Sequence, residues 1–457
     1  MRRALRCARD SVRRGSTGIL AVLLLVGAGG PASGNVCSVG TAGGSLYVVC
    51  DDEDNDVVVD QVAFGSSTFR IASSNGTLFD VGSGPVAGPV LRSGVTRDVS
   101  IDMGGGQEVI GECVASEQPT GRCPGDLLEV ADVLVRRDLR IASADGRNEV
   151  LLVDSEVAGN VMVDNGIGGT ETDCESSVIG GSLLYTNGSG FNEAKIDDCE
   201  IGSGLVGNVQ ISNRGGSSIL DIESGTLIHG NVQLANGDGE THEVGVEESS
   251  ILGSLRIKNG SAEEIVVEME AEEGTEILIS GDINVENGAA DLHVFELEGA
   301  EGEANFAVGG SIRISNGPGD SEVTLEKDVL VMGNVHHTSG SGFDSFLFES
   351  GIDVRGSVRI EHGSGGSETV LEESEIHGEL KLAANAGEDV VDLTGVEVGS
   401  RTSLSVGEGG DAVGVEDSTF GDAFTAEGGT GTDCFENRGG NDFQGPFRIA
   451  SFEGCAP

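Results

Sequence analysis

A ten-residue phrase that returns at a fixed interval is the feature that most constrains the fold of this chain. The phrase reads "GNVQISNRGG" from Gly207 and "GNVQLANGDG" from Gly230, 23 residues later. Segments of the same pattern begin at Gly159, Gly181, Gly207, Gly230, Gly253, Gly281, Gly310, Gly333, Gly356, Gly378 and Ser400. A unit this short cannot bury an apolar core alone, so the repetition predicts units that stack on one another as a solenoid.

Each unit contains two stretches with the alternation of β-strands. The first reads G-x-Φ-x-Φ-x-N-G-x-G, where Φ is apolar, and the second ends in an acidic residue followed by Ser. Apolar residues two positions apart, such as Val209 and Ile211, point to the same side of a strand. Most intervals are 22 or 23 residues, which places each strand beside its counterpart in the next unit. We therefore predict an all-β fold: a single-stranded, right-handed parallel β-helix of roughly 16 to 18 coils with strands about 4.8 Å apart.

A column of asparagines supports this prediction. One position of the repeat is filled by Asn165, Asn187, Asn213, Asn236, Asn259, Asn287 and Asn316. Because an amide both donates and accepts, asparagines stacked at the strand spacing can form a hydrogen-bonded ladder. Asn-Gly is also a common turn. A preference for turns explains each single Asn-Gly, but it explains less well why the asparagines occupy the same position in successive units.

The N-terminus predicts export. A basic segment, the apolar run "ILAVLLLVGA" and the small residues "GGPASG" have the layout of a secretory signal peptide over residues 1–34. The apolar run is shorter than the roughly 20 residues of a spanning helix, although a retained anchor is the alternative. Beyond it we expect an N-terminal cap with irregular coils and a disulfide loop over 35–136, regular repeats over 137–421 and a C-terminal cap over 422–457.

The number of cysteines and the net charge indicate in which compartment the protein works and which partners it disfavours. An even number of cysteines follows the signal, which in an exported chain indicates disulfides. The predicted pairs are Cys37–Cys50, Cys113–Cys123, Cys174–Cys199 and Cys434–Cys455. The net charge of -51 disfavours nucleic acid as a partner, and no later segment is apolar enough to span a membrane. We expect an extracellular, cell-surface or periplasmic protein whose oligomeric state stays open.

Glycine-rich, asparagine-containing coils of 22 or 23 residues in an exported chain resemble the right-handed parallel β-helix proteins of the pectate-lyase-like group. The resemblance covers roughly residues 43–455 and is one of pattern and period. It implies a solenoid and, for the enzymes of that group, chemistry on polysaccharides, mostly polyuronates, sometimes with calcium.

Catalytic motifs of the polygalacturonase branch are echoed only in part. The resemblance points to Asp197-Asp198, to His229-Gly230 and to the Arg-Ile-Lys that starts at Arg256. His229 lacks the Gly that should precede it, and the two aspartates follow the second strand whereas Arg256 lies on the first. Paired catalytic acids must lie within about 10 Å of each other, so we predict no catalytic residue from these motifs.

The fourth position of the repeat, which points outward from the first strand, holds no acidic residue. From Arg137 to Ser400 it reads Arg140, Met162, Leu184, Gln210, Gln233, Arg256, Asn284, Arg313, His336, Arg359, Lys381 and Ser403, and Arg70 and Arg448 fit the same slot. The candidate ligand-binding residues are Arg256, Arg313, His336, Arg359 and Lys381. Two interpretations stay open: a cationic strip for an extended anionic ligand, or neutralisation by acids such as Glu286 and Glu361.

An acidic position follows the second strand. Its candidate calcium ligands are Glu223, Glu248, Glu349, Glu373 and Asp417, and Asp154 and Asp198 follow the same pattern. Calcium accepts six to eight oxygen ligands, which makes it the one candidate cofactor. The alternative is a solvated acidic face. His337 falls on an inward position and is expected to be a core residue rather than a ligand.

These patterns favour an exported structural or surface-interaction protein with an adhesion, envelope or scaffold role and without catalytic activity. Its expected partners are polysaccharide or cell-surface components. The alternative is a polysaccharide-binding protein or a carbohydrate-active enzyme, a lyase or a glycoside hydrolase, that uses the exposed face of the first strand. The lack of Trp and the two Tyr disfavour that alternative, because sugar-binding platforms usually use aromatic rings.

Overall fold

Three sheets of stacked strands form the wall of this protein. The computed structural model describes residues 35–453 except 52–54, 74–75, 105–126, 144, 205, 273 and 301–305. Within that part of the chain every regular element is a β-strand, and no segment is a helix that could cross a membrane. The strands form a parallel β-solenoid of about 14 turns with about 23 residues per coil, which confirms the predicted fold class.

The first strand of each coil belongs to sheet 1, the second to sheet 2 and a short third strand to sheet 3. Sheet 1 contains Val36–Ala42, Ser45–Cys50, Leu78–Asp80, Pro85–Val86, Val99–Asp102, Leu139–Ser143, Val161–Asn165, Leu183–Ser189, Val209–Gly215, Val232–Asn236, Leu255–Lys258, Ile283–Glu286, Ile312–Ser315, Val335–Thr338, Val358–Glu361, Leu380–Ala383, Thr402–Ser405, Phe424–Glu427 and Phe447–Ala450.

Sheet 2 contains Asp56–Gln61, Phe69–Ala72, Val90–Arg92, Leu127–Ala131, Asn148–Val153, Thr170–Glu175, Asn192–Asp197, Ser218–Glu223, Thr241–Glu247, Glu264–Glu270, Leu292–Glu298, Asp320–Glu326, Asp344–Phe348, Ser367–Glu372, Asp389–Thr394, Ala412–Glu416 and Cys434–Gly439. Sheet 3 contains Leu134–Val135, Glu156–Val157, Val178–Ile179, Glu200–Ile201, Leu227–Ile228, Ser250–Ile251, Ile277–Ile279, Phe306–Val308, Val329–Val331, Asp353–Val354, Glu375–Ile376, Glu397–Val398, Thr419–Phe420 and Asp442–Phe443. A two-stranded sheet pairs Glu408–Gly409 with Thr430–Gly431.

The repeat pattern predicts two strands per coil, and the structure has three. The third strand contains the apolar residue that precedes each opening Gly. One example is Ile228, which is fully buried and pairs with Ile251 of the next coil. In sheet 1 Val209 pairs with Val232 and Ile211 with Leu234, so identical positions of successive repeats stack in register. Because side chains alternate between the two faces, a slip of one residue would expose these buried positions to water.

The asparagine ladder is confirmed. Each amide nitrogen from Asn165 to Asn287 donates to the amide oxygen of the next asparagine at 2.7–2.9 Å. Asn316 ends the ladder by donating to the Ser321 hydroxyl at 2.8 Å. At the other end the Oδ1 atom of Asn165 is buried and has no hydrogen-bond partner among the described residues. The ladder therefore runs in one direction across seven coils.

The described strands before residue 127 follow the solenoid pattern only in part. Val36–Ala42 pairs antiparallel with Ser45–Cys50, and Phe69–Ala72 pairs antiparallel with both Asp56–Gln61 and Val90–Arg92. Hairpins use chain without adding coils, which is why about 14 turns form instead of roughly 16 to 18. The prediction for Arg70 is wrong: it lies in sheet 2, ion-paired with Asp60, and not in the outward column of sheet 1.

Two of the predicted disulfides are confirmed. Cys37 and Cys50 face each other across the first hairpin and are bonded, and the Cys174–Cys199 bond joins neighbouring coils. The predicted Cys113–Cys123 pair and Cys455, the predicted partner of Cys434, lie outside the described residues. In the predicted C-terminal cap the coil continues in all three sheets as far as Ala450.

Candidate functional site

One line of outward side chains runs along the whole of sheet 1. Strand pairing places in it Tyr47, Ser100, Arg140, Met162, Leu184, Gln210, Gln233, Arg256, Asn284, Arg313, His336, Arg359, Lys381, Ser403, Thr425 and Arg448. None of these residues is acidic. The five predicted ligand-binding residues therefore share one column, and with Asn284 they occupy six successive coils. We call Arg256, Arg313, His336, Arg359 and Lys381 the cationic strip.

Neutralisation by neighbouring acids accounts for only part of the cationic strip. The Nε atom of Arg359 donates to Glu361 at 2.9 Å. This hydrogen bond, with the charges of Arg359, His336 and Lys381, holds the pKa of Glu361 below its usual value despite some burial. Burial and the charges of Arg313 and Arg359 lower the pKa of His336, which disfavours the charged form of its imidazole.

Three members of the cationic strip form no ion pair within the described part of the chain: Arg256, Arg313 and Lys381. Glu286, which the sequence offers as a partner for this column, lies 3.9 Å from Lys258 instead. The positive charges of Arg256 and Arg313 are thus available to an external anion, whereas that of Lys381 also acts on Glu361.

The five predicted calcium ligands do not form one column. Glu248, Glu373 and Asp417 lie in the turn after sheet 2 with φ of 49°, 43° and 48°, in the left-handed region. Glu223 ends a strand of sheet 2, and Glu349 directly follows another. Backbone conformation explains Asp417 at this turn, because a short polar side chain such as Asp tolerates the left-handed region; it does not explain Glu248 and Glu373.

A continuous acidic column lies one position earlier, on the outer face of sheet 2, and of its members only Glu223 and Glu349 are among the predicted calcium ligands. In nine successive coils it holds Glu175, Asp197, Glu223, Glu247, Glu270, Glu298, Glu326, Glu349 and Glu372. The acidic column becomes visible in the sequence when the repeats are aligned on the inward residues of the second strand instead of on the acid before Ser. Several members are engaged by lysines: Lys195 lies 2.9 Å from Glu223, and Lys327 pairs with Glu298.

Carboxylates on this outer face raise one another's pKa values. Burial, together with Glu268, Glu326, Glu298 and Glu322, raises the pKa of Glu296 to about 7. Burial and neighbouring glutamates raise the pKa of Asp173 to about 7 despite the nearby Lys195. The outer face of sheet 2 therefore carries fewer charges at neutral pH than its sequence implies.

A second polar column is buried inside the last coils. Asp344, Asp389, Asp411 and Asp433 start the second strand of their coils or precede it, and each is at most 1% exposed. In successive coils, backbone N–H groups donate to Oδ1 of Asp411 at 3.0 Å and of Asp433 at 3.1 Å. Within the described residues, the Oδ2 atoms of Asp389, Asp411 and Asp433 have no hydrogen-bond partner. Burial and the neighbouring aspartates raise the pKa of Asp411 to about 6.

Histidines beside this column are buried as well. His337 is fully buried, neither ring nitrogen has a hydrogen-bond partner in the described part of the chain, and burial lowers its pKa to about 3. It is a core residue, as expected, but an unsatisfied one. In the next coil the Nε2 atom of His362 lies 2.8 Å from the Thr369 hydroxyl.

The polygalacturonase-like residues lie on three different sheets. Asp197 ends a strand of sheet 2, His229 follows a strand of sheet 3, and Arg256 lies on sheet 1. Asp197 lies 3.6 Å from Lys195, and His229 lies 3.1 Å from Glu200. These contacts tie each side chain to its own sheet.

Two groups of side chains in the described residues bring three potential metal ligands within 4.8 Å of one another. They are Asp353, Glu375 and His377, and Glu296, Glu298 and Glu326. Neither group was predicted from the sequence. Of the predicted calcium ligands, Glu373 lines the concave surface beside Asp353 and Glu375.

Comparison with family models, curated proteins and solved structures found no match to this chain. Its class is therefore defined by its fold alone: it is a parallel β-solenoid protein.

Proposed function

We propose that this protein is an exported surface-interaction scaffold that uses the cationic strip of sheet 1 to bind an extended anionic polymer, such as an acidic polysaccharide of a cell surface. A stack of strands presents equivalent side chains about 4.8 Å apart, which suits a polymer with many similar charges. Two disulfides agree with an oxidising environment outside the cytoplasm.

The observation that carries this proposal is the set of unpaired cations. In a chain of net charge -51, Arg256, Arg313 and Lys381 lie in one column and form no ion pair with a described residue. Opposite charges about 4 Å apart attract by about 1 kcal/mol even in water, and Arg359 of the same strip does pair with Glu361. Free charges in this column are thus better explained by an external partner than by internal neutralisation.

The acidic body does not prevent such binding. Charges farther away than the Debye length, about 8 Å at physiological ionic strength, are largely screened. A ligand on sheet 1 therefore interacts mainly with the strip itself. Binding should weaken as salt rises, because each neutralised charge releases a counterion.

The test measures binding of polygalacturonate and dextran sulfate, with neutral dextran as a control, by calorimetry at about 50 mM and 300 mM salt. In the test variant Arg256, Arg313 and Lys381 are changed to Gln. A matched control changes Arg70, Lys327 and Arg438, which are paired with acids on sheet 2, so its net charge is the same.

We expect the strip variant to lose about tenfold or more in affinity, which corresponds to about 1.4 kcal/mol or more, while the control binds like the unmodified protein. Equal losses in both variants, or no binding of either anionic polymer, would contradict the proposal. New reducing ends or unsaturated sugars during the incubation would instead favour the carbohydrate-active alternative.

A further inference from the structure

A carboxylate, a second carboxylate and an imidazole converge on the outer side of sheet 3. Asp353 and Glu375 are paired neighbours in successive strands, and His377 follows Glu375 by two residues. The Nε2 atom of His377 lies 3.3 Å from Oδ1 of Asp353 and 3.1 Å from Oε1 of Glu375. Three potential ligand atoms from two coils therefore surround one point.

Hydrogen bonds among the described residues satisfy this group only in part. Arg355 donates from Nη1 to Nε2 of His377 at 2.7 Å and also pairs with Asp353. An Nε2 atom without a proton accepts this hydrogen bond from Arg355, but it then lies 3.1 Å from Oε1 of Glu375 and 3.3 Å from Oδ1 of Asp353 with no proton between them. The Oδ1 atom of Asp353 is in addition shielded from solvent and has no hydrogen-bond partner among the residues that the structure describes. A cation at this point would be attracted by all three ligand atoms at once.

We propose that Asp353, Glu375 and His377 form a binding site for a divalent transition-metal ion, with zinc as the ion that fits best. One imidazole nitrogen and two carboxylate oxygens are a donor set that zinc accepts at about 2.0–2.2 Å, leaving one position open. Calcium prefers six to eight oxygens and fits less well. Glu373 and Glu397 line the same concave surface, and their charges attract cations to it.

In this site Arg355 competes with the metal ion. Its guanidinium group contacts both Asp353 and His377, so a metal ion must displace it. Removing the positive charge should therefore strengthen metal binding, whereas removing a group that only supports the local structure would not.

The chain contains a matched control for His377. His229 follows the strand Leu227–Ile228 as His377 follows Glu375–Ile376, and its Nε2 atom lies 3.1 Å from Oε1 of Glu200. Leu227 stands where the coil of His377 has Glu375. His229 thus has a carboxylate neighbour but lacks the third ligand.

The experiment is zinc titration of the full chain by calorimetry, with excess magnesium present to occupy weak surface carboxylates, on the unmodified protein and on His377→Ala, His229→Ala and Arg355→Gln. We expect one magnesium-resistant zinc ion per chain, lost in His377→Ala, retained in His229→Ala and bound about tenfold more tightly in Arg355→Gln. Melting curves without metal establish that each variant is folded, and zinc should raise the melting temperature except in His377→Ala.

Three results would overturn the site: no magnesium-resistant zinc on the folded, unmodified chain, equal zinc binding by His377→Ala and His229→Ala, or weaker binding by Arg355→Gln. Binding of dextran sulfate to the cationic strip uses different residues, so the outcome of that experiment does not depend on this one.

Discussion

Two segments of the solenoid, the coils from Asn165 to Asn316 and the coils after Asn316, bury different polar side chains at the corner between sheets 1 and 2. From Asn165 to Asn316 the corner holds asparagines that bond to one another. Beyond Asn316 the same position passes to Ser339, His362, Ala384 and Val406, and the buried polar column becomes the one of Asp344, Asp389, Asp411 and Asp433.

The difference lies in what identical side chains can do for each other. An amide carries both a donor and an acceptor, so identical asparagines pair through any number of coils. A carboxylate only accepts, so stacked aspartates depend on backbone N–H groups and leave the second oxygen unpaired unless it binds a proton. The hydrogen bonds of the asparagine ladder should therefore be insensitive to pH, and those of the aspartate column should not.

The largest effect is expected from breaking the ladder in its middle. Asn236→Ala leaves the donor of Asn213 and the acceptor of Asn259 buried without partners. We expect the free energy of unfolding to fall by about 3 kcal/mol, measured by urea denaturation. Asn165→Ala is the control, because its oxygen already lacks a partner; it should cost about 1 kcal/mol. Similar losses for both variants would show that the ladder does not stabilise the fold.

The second-largest effect is expected in the buried aspartate column, where stability should depend on pH. The pKa of Asp411 is raised to about 6, so the folded chain binds this proton more tightly than the unfolded chain. Its contribution to stability is therefore present at low pH and is lost as pH rises from about 4 to about 6. Asp411→Asn should raise the melting temperature at pH 8 and leave it unchanged or lower at pH 4.

That comparison separates Asp411 from the general charge of the chain. A net charge of -51 also disfavours the folded state at high pH, but it acts on both proteins alike. If the melting temperatures of Asp411→Asn and of the unmodified protein differ by the same amount at every pH, Asp411 does not titrate as inferred.

A smaller effect, an increase in the free energy of unfolding, is expected from replacing His337. Its neighbours in the adjacent coils are Ile314 and Ile360, and neither ring nitrogen has a hydrogen-bond partner. Because a buried polar group without a partner destabilises the fold, His337→Ile should raise the free energy of unfolding by about 1 kcal/mol. His362→Ile should not, since His362 contacts Thr369. Calorimetric melting curves compare the two, and a loss of stability in His337→Ile would contradict the prediction.

The smallest expected effect is an extension of the ladder by one coil. Ser143 pairs in register with Asn165, and the Ser143 hydroxyl and Asn165 Oδ1 are both buried without partners. In Ser143→Asn the new amide can donate to Asn165 in the direction of the existing ladder, and we expect a gain of about 0.5–1 kcal/mol. Urea denaturation measures it, with Ser143→Ala as the control. Equal stability of Ser143→Asn and Ser143→Ala would show that an added asparagine does not extend the ladder.

The sequence by itself determined the features that depend only on period and alternation. A repeat of 22 or 23 residues and a side-chain period of two fix which residues face inward and which stack, and this was enough to place Asn213 in the ladder and Arg313 in the outward column. It was not enough before residue 127, where the period is lost and Arg70 joins sheet 2 through antiparallel pairing.

Only the tertiary structure decided which atoms meet. The acidic position that the sequence suggests for calcium divides into left-handed turn residues such as Glu373 and strand residues such as Glu223, because one residue of offset changes both the backbone conformation and the direction of a side chain. Asp353, Glu375 and His377 converge because a coil brings residues about one turn apart into contact. A one-dimensional pattern predicts that contact between coils, but not the distances between side-chain atoms that determine the chemistry.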